Sequence, residues 1–176
     1  MPQGDRKLHM DELGRVAPDR YRDQPLKHIT LVLDDIRSRH NVGSMFRTAD
    51  AFGLEGLVLC GFTPLPPHRE IEKTALGATL AVPWRHAPNA LDAVRGLQAA
   101  GYMALAVEQT AQATPLMEFR HDPRRPLALV LGNELHGVSE EVVAICDACV
   151  VVPQRGSKHS LNVAVCAGVV SWWFSR

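Results

Sequence analysis

Apolar residues fall along the chain in five short runs, at 29–33, 56–60, 102–107, 127–131 and 149–152, broken only by Thr30 and each bounded by polar or glycine-bearing sequence. Runs of this length with no polar alternation predict strands buried on both faces. The stretches between them carry helical signals. One covers 42–52 and closes at Gly53; a second covers 89–100 and closes at Gly101. A third covers 139–146, opened by Ser139 with Glu140 and Glu141 in its first turn, and the last covers 161–174. Strand alternating with helix predicts an α/β domain: a mostly parallel sheet flanked by helices, over residues 28–176. Residues 1–27 carry only the weak helical pattern Leu8, Met10, Leu13, Val16, cut by Pro18 and Pro25, and predict an N-terminal helix and linker. No internal repeat or low-complexity segment interrupts this order.

Parallel sheets bind ligands at the carboxyl ends of their strands, which directs attention to three loops. The loop after the first strand begins Asp34-Asp35-Ile36-Arg37, without the glycines that a dinucleotide fold or a Rossmann-like methyltransferase places there. Gly132 to Gly137 has phosphate-loop glycine spacing but continues into Val138 where lysine is required. Neither standard nucleotide cradle is present. Segment 37–47 nevertheless holds Arg37, Arg39, His40 and Arg47 with no acid, beside a helix start placed at Asn41, which suits a phosphate. Gly43 lies one turn before Arg47 on the same face and is expected to leave open space beside the guanidinium. In the second loop, Glu134 stands between Gly132 and Gly137, as a ligand acceptor or as an anchor for the adjacent loop through an arginine. In the third, Gly156 marks a tight turn, Arg155, Lys158 and His159 add positive charge, and Ser160 is a possible cap for the last helix.

Composition narrows the class. The charges balance, 19 basic against 19 acidic, which removes a domain that is basic all over. No apolar stretch approaches the ~20 residues of a membrane span, and the first residues have no secretory apolar core, so a cytoplasmic protein without membrane contact is expected. The four cysteines sit in apolar surroundings, and Cys146-Asp147-Ala148-Cys149 has no second pair at zinc spacing, so free structural thiols are expected. The eight histidines include no pair four apart, and no metal site is expected. Trp172-Trp173-Phe174 cannot all be buried by one helix face, which points to a homodimer through the C-terminal helix.

Taken together, the three loops resemble the SpoU, or TrmH, family of RNA ribose 2′-O-methyltransferases within the SPOUT superfamily. The first motif is Asn41-Val42-Gly43 followed by Arg47-Thr48-Ala49-Asp50-Ala51-Phe52-Gly53; the second is Leu131-Gly132-Asn133-Glu134-Leu135-His136-Gly137; the third is Val152-Pro153-Gln154-Arg155-Gly156 leading into Ser160-Leu161-Asn162. They occur in the family's order and span the chain from about Lys27 to the end.

The resemblance implies a C-terminal deep trefoil knot that sequence patterning would not have suggested. It implies S-adenosyl-L-methionine as methyl donor, held by Gly132, Val152 and Leu161 with Ser160 beside them and Glu108 as a further contact. It assigns Arg47 as the principal catalytic residue, with Asn41, Glu134, Ser160 and Asn162 around it. An arginine is a poor literal base, so gripping the phosphate next to the target ribose is the expected role. RNA is the implied partner, transfer RNA first and ribosomal RNA second. Larger members carry a separate N-terminal RNA-binding domain, for which residues 1–27 are too few. A non-catalytic RNA-binding module and a knotted base methyltransferase are the competing readings. Segments 37–47 and 155–160 hold five basic residues and no acid, so overall neutrality conceals a focused RNA contact rather than excluding one.

Overall fold

The computed structural model describes residues 6–176. Its centre is a seven-stranded sheet in the order β3-β2-β1-β6-β4-β7-β5, with every named pair parallel. The five apolar runs become β1 (Lys27–Asp34), β2 (Leu54–Cys60), β4 (Met103–Val107), β6 (Leu127–Leu131) and β7 (Ala148–Val151). Two strands were not expected: β3 (Trp84–Ala87) at one edge and the two-residue β5 (Thr114–Pro115) at the other. The expected helices appear as α1 (Arg39–Phe52), α4 (Ala90–Ala99), α5 (Glu140–Ile145) and α6 (Val163–Ser175). Two further short helices, α2 (Arg69–Ala75) and α3 (Ala78–Ala81), join β2 to β3.

Alternation along each strand sorts side chains by size. Leu31, Leu33, Leu105, Leu129 and Leu131 face the layer that holds Val42, Met45, Phe46, Ile71, Ala167 and Val170 of α1, α2 and α6. Val32, Val58, Ala104, Ala106, Ala128 and Val130 face α4 and α5, meeting Ala90, Ala93, Val94, Leu97 and Val142. Both faces are covered, which is why these strands read as near-continuous apolar runs.

The N-terminal segment differs from expectation. In place of an α-helix there are two 3-10 turns, Met10–Leu13 and Pro18–Asp23. Gly14 takes the left-handed conformation after the first, and Pro18 opens the second. Leu8, Leu13 and Val16 of the weak apolar pattern remain exposed. Residues 1–5 of the expected helix lie outside the described residues. Tyr21 belongs to the main core; its buried hydroxyl lies 2.7 Å from the Leu54 carbonyl oxygen and 3.0 Å from that of Ala49.

At the C-terminus the three rings separate as anticipated. Phe174 is buried edge-on against Phe119 and His121, Trp173 is half-buried under the Arg176 guanidinium, and Trp172 is exposed. All four cysteines are free, and burial pushes the thiols of Cys60 and Cys146 up to about 12 and that of Cys166 to about 11. Protonated thiols suit structural packing and not metal ligation or nucleophilic attack. No cluster of three or more His, Cys, Asp and Glu placed to hold a metal occurs among the described residues. No helix among them is long and apolar enough to cross a membrane.

Candidate functional site

Three loops leave the carboxyl ends of β4, β6 and β7 and enclose a cavity of about 300 Å³. Gly132, Val152, Leu161, Ser160 and Glu108 all line it, together with Leu131, Gln109 and Val163. The second loop turns back on itself so tightly that its glycines are obligatory. A Cβ on Gly132 would come within 2.0 Å of the Gly137 carbonyl carbon and the Val138 nitrogen. Gly137 has a φ of +71°, and a Cβ there would meet the Glu108 carboxylate at 2.1 Å. Reciprocal backbone bonds between Asn133 and Gly137, at 2.9 and 2.8 Å, close the turn.

Side chains then brace this loop from both sides. Glu108 accepts from the Val138 amide at 3.0 Å and the Gln109 amide at 2.7 Å. Asn133 accepts from Leu135 at 2.9 Å and donates to the Asp35 carbonyl at 2.6 Å. Gln109 donates to the His159 carbonyl at 2.7 Å and ties the third loop to the end of β4. The buried Asp34 accepts from both the amide and the hydroxyl of Ser139 at 2.9 Å. Sequence reasoning missed Gln109, Asn133 and Asp34. The available signals were their position, as polar residues within two places of the end of an apolar run, and for Asn133 its place in the second motif.

At the rim of the cavity a hydrogen-bonded chain connects three of the motif residues. Glu134 accepts from the backbone amides of Arg37 at 2.8 Å and Ser38 at 3.0 Å, and from Nδ2 of Asn41 at 2.9 Å. Asn162 donates to Oδ1 of Asn41 at 3.2 Å, and its own Oδ1 caps α6 by accepting from Ala164 at 2.9 Å and Val165 at 3.3 Å. One end of this chain can only accept and the other end can only donate, so both amide orientations are determined. Partial burial acts to raise the Glu134 pKa, but the Arg37 and Ser38 amides and Asn41 outweigh it and hold the carboxyl below its ordinary value. Glu134 is an anionic anchor at neutral pH.

Several expectations are corrected by this arrangement. Glu134 grips the loop after β1 through backbone N–H groups, not through an arginine. Ser38, not Asn41, caps α1, and Asn162, not Ser160, caps α6. Arg39 is partly compensated by Glu70 at 3.7 Å. Gly43 leaves no open space, because its Cβ would lie 2.1 Å from the Thr74 hydroxyl and 2.2 Å from the Ile71 carbonyl oxygen. The space expected to admit a backbone or a ribose admits the backbone of α2 at Ile71. Gly156 has open surroundings and no left-handed backbone, so its turn does not depend on glycine.

The five residues of the expected catalytic group are not all brought together. Asn41, Glu134 and Asn162 are directly bonded, and Ser160 is exposed on the cavity wall without a side-chain hydrogen bond among the described residues. Arg47 sits six residues beyond Asn41, a rise of about 9 Å, and lines a separate cleft with Ser44, Thr48 and Lys73.

The anchoring role of Glu134 has a pH signature. Its folded pKa is depressed, so its contribution is present above the unfolded carboxylate value of about 4.3 and is lost as pH falls through the lower folded value. Glu134→Gln is therefore expected to melt several degrees below the wild type at pH 7, with the gap closing at acid pH. Thermal unfolding at pH 7 and pH 3 checks this; a gap independent of pH would show that ionisation of Glu134 is immaterial.

Comparison with known proteins places these features. The model of the SpoU rRNA methylase family matches residues 28–172. The chain is 36% identical over 141 residues to the 23S rRNA (guanosine-2′-O-)-methyltransferase RlmB of Nitrosomonas europaea, covering 80% of this chain and 53% of that one. The AdoMet-bound rRNA methyltransferase of Sinorhizobium meliloti superposes with a TM-score of 0.78 at 30% identity, over 88% of this chain and 59% of that one. The TrmH/SpoU tRNA modifying enzyme of A. aeolicus also superposes at 0.78, with 27% identity, over 90% of this chain and 80% of that one. Across eight curated relatives, the chain spans between 41% and 69% of the relative's length.

Proposed function

Because the chain belongs to the SpoU rRNA methylase family, we propose that it transfers the methyl group of S-adenosyl-L-methionine to a ribose 2′-hydroxyl of RNA in the cytoplasm. The observation that carries this reading is the cavity at the ends of β4, β6 and β7, with the Glu134–Asn41–Asn162 chain at its rim. About 300 Å³ is the lower end of small-molecule sites, and the lining combines the polar Glu108, Gln109 and Ser160 with Gly132 and the apolar Leu131, Val152, Leu161 and Val163. That mixture fits a nucleoside with a short polar tail. The bound cofactor supplies an electrophilic sulfonium methyl group, and everything else falls to the chain and the RNA.

In this reading Arg47 grips the phosphate beside the target ribose, and its charge stabilises the alkoxide that develops at the 2′-oxygen. The proton leaves through that phosphate or through water, since arginine stays protonated. Asn41, Glu134 and Asn162 position the start of α1 against the start of α6, and Ser160 faces the reacting group from the cavity wall. The expected knot is kept as part of the reading: the C-terminal segment threads a loop, which is supported by the convergence of three loops on the place where α6 begins. Transfer RNA is proposed ahead of ribosomal RNA, because the A. aeolicus tRNA modifying enzyme is matched over 80% of its length, against 59% for the Sinorhizobium meliloti rRNA enzyme. Incubation with labelled S-adenosylmethionine and bulk transfer or ribosomal RNA, followed by mapping of the product, tests the proposal. Absence of incorporation into either would instead favour a non-catalytic RNA-binding module, and base methylation would favour the related knotted base methyltransferases.

A homodimer through α6 completes the reading. Val165, Val169 and Trp172 form an exposed apolar stripe at i, i+4 and i+7 on that helix, and Trp172 is 54% exposed. Trp172→Glu is expected to shift the protein from dimer to monomer in sedimentation or light scattering while leaving the far-ultraviolet circular dichroism intact. A dimer of unchanged stability would exclude this face.

A further inference from the structure

The cleft that holds Arg47 also holds Lys73, a residue to which the motifs assign nothing. It measures about 570 Å³ and lies between α1, α2 and α6, lined by Ser44, Arg47, Thr48, Lys73, Thr74 and Gly168. Both cations are exposed, and neither has an ion-pair partner among the described residues. The acids nearest Lys73 in sequence are engaged elsewhere: Glu70 pairs with Arg39, and Glu72 accepts from the Thr79 hydroxyl at 2.7 Å. Lys73 therefore brings uncompensated charge to the cleft.

Its position relative to Arg47 is set by packing. Gly43 of α1 admits the α2 backbone at Ile71, and the Thr74 hydroxyl donates to the His40 carbonyl at 3.0 Å. Residue 73 is thus carried on a helix locked against the helix that carries residue 47. Two like charges held over one cleft repel each other in the free protein, and an anion between them relieves that repulsion. Hydroxyls at Ser44 and Thr48 add donors, and Gly168 leaves its wall open, since a Cβ there would meet nothing within 4 Å. Two cations with neighbouring hydroxyls are a donor set suited to the acceptor oxygens of a phosphodiester.

We propose that Lys73 and Arg47 together seat the phosphodiester backbone of the RNA strand entering the active site, with Lys73 as a positioning residue. This rests on the RNA methyltransferase reading above. Lys73 lines this cleft and not the cavity at the ends of β4, β6 and β7, so it aligns substrate without touching the chemistry.

The test measures binding of a 20-nucleotide mixed-sequence single-stranded oligoribonucleotide across a salt series, and methylation of bulk transfer RNA in parallel. For Lys73→Ala the slope of log affinity against log salt should fall by about 0.7, the value of one phosphate contact on a single strand. RNA affinity should fall about five- to tenfold at low salt, the behaviour of a phosphate contact. KM for RNA should rise by a similar factor, with kcat and cofactor affinity unchanged. Lys73→Arg should restore the slope, and Arg95→Ala on α4, across the sheet, should leave it at the wild-type value. An unchanged slope and KM in Lys73→Ala would overturn the proposal even where the wild type methylates RNA. A change in oligomeric state without a change in slope would also overturn it, by making the cleft a subunit contact. If the wild type transfers no methyl group to any RNA, the enzymatic reading fails, while the salt slope still decides whether the cleft seats a phosphate.

Discussion

Arg47→Lys is expected to lower kcat for RNA methylation by at least a hundredfold while leaving the affinity for S-adenosylmethionine within twofold of the wild type. The lysine keeps the charge but loses the planar fork that grips a phosphate with two parallel hydrogen bonds. Removing a donor that stabilises developing charge in a transition state costs roughly 10²–10³ in turnover, and Arg47→Ala should lie at or beyond the upper end. The split between kcat and cofactor affinity follows from position, because Arg47 lines the α1–α2–α6 cleft and not the cavity enclosed by the loops after β4, β6 and β7. Arginine stays protonated, so it stabilises charge at the 2′-oxygen without being the proton acceptor. Steady-state kinetics with saturating cofactor and varied RNA, alongside calorimetric titration of the cofactor, measures both quantities. Near-full turnover in Arg47→Lys would dispose of the bidentate role, leaving a simple point charge.

The buried strands were legible because the sheet is covered on both faces, which turns each central strand into a run of apolar residues. The same physics concealed β3, an edge strand whose Trp84, Arg85 and His86 are all exposed and carry no apolar signature. It also concealed α2, seven residues in which only Ile71 and Ala75 are buried. The linked motifs named candidate site residues, but which of them bond to one another was not legible. Ser38 and Asn41 are both good helix caps, and what decides between them is Glu134, 93 residues from Asn41 in the chain. Gly43 looked like room for a backbone or a ribose, and sequence does not show that the backbone of a helix at 69–75 takes it. Arg47 looked like a partner of Asn41 because both belong to one motif, yet six residues of helix separate them along the axis and turn them to different sides.

Gly132→Ala is expected to lose at least tenfold in cofactor affinity and to melt well below the wild type, whereas Gly156→Ala in the third loop should match the wild type in both. The new methyl carbon at 132 would overlap backbone atoms of Gly137 and Val138 at 2.0 Å, and no rotamer change relieves a clash with backbone. The loop must move as a unit, but it is tied at every point. Asn133 and Gly137 bond reciprocally, Val138 is held by Glu108, Asn133 reaches Asp35, and Glu134 holds the start of α1. A shift at 132 therefore spreads to the cavity wall and to the rim chain at once, and overpacking of this kind typically costs about 1–3 kcal/mol or more. At Gly156 a Cβ meets nothing within 4 Å and the backbone is not left-handed, so the same substitution adds only an exposed methyl group. Differential scanning calorimetry and titration with S-adenosylhomocysteine compare the two variants directly. Equal behaviour of the pair would mean that the close approach at Gly132 does not shape the cavity. A selective loss in Gly132→Ala would tie cofactor binding to the backbone of the second loop, as expected of a site lacking the glycine-rich turn after its first strand.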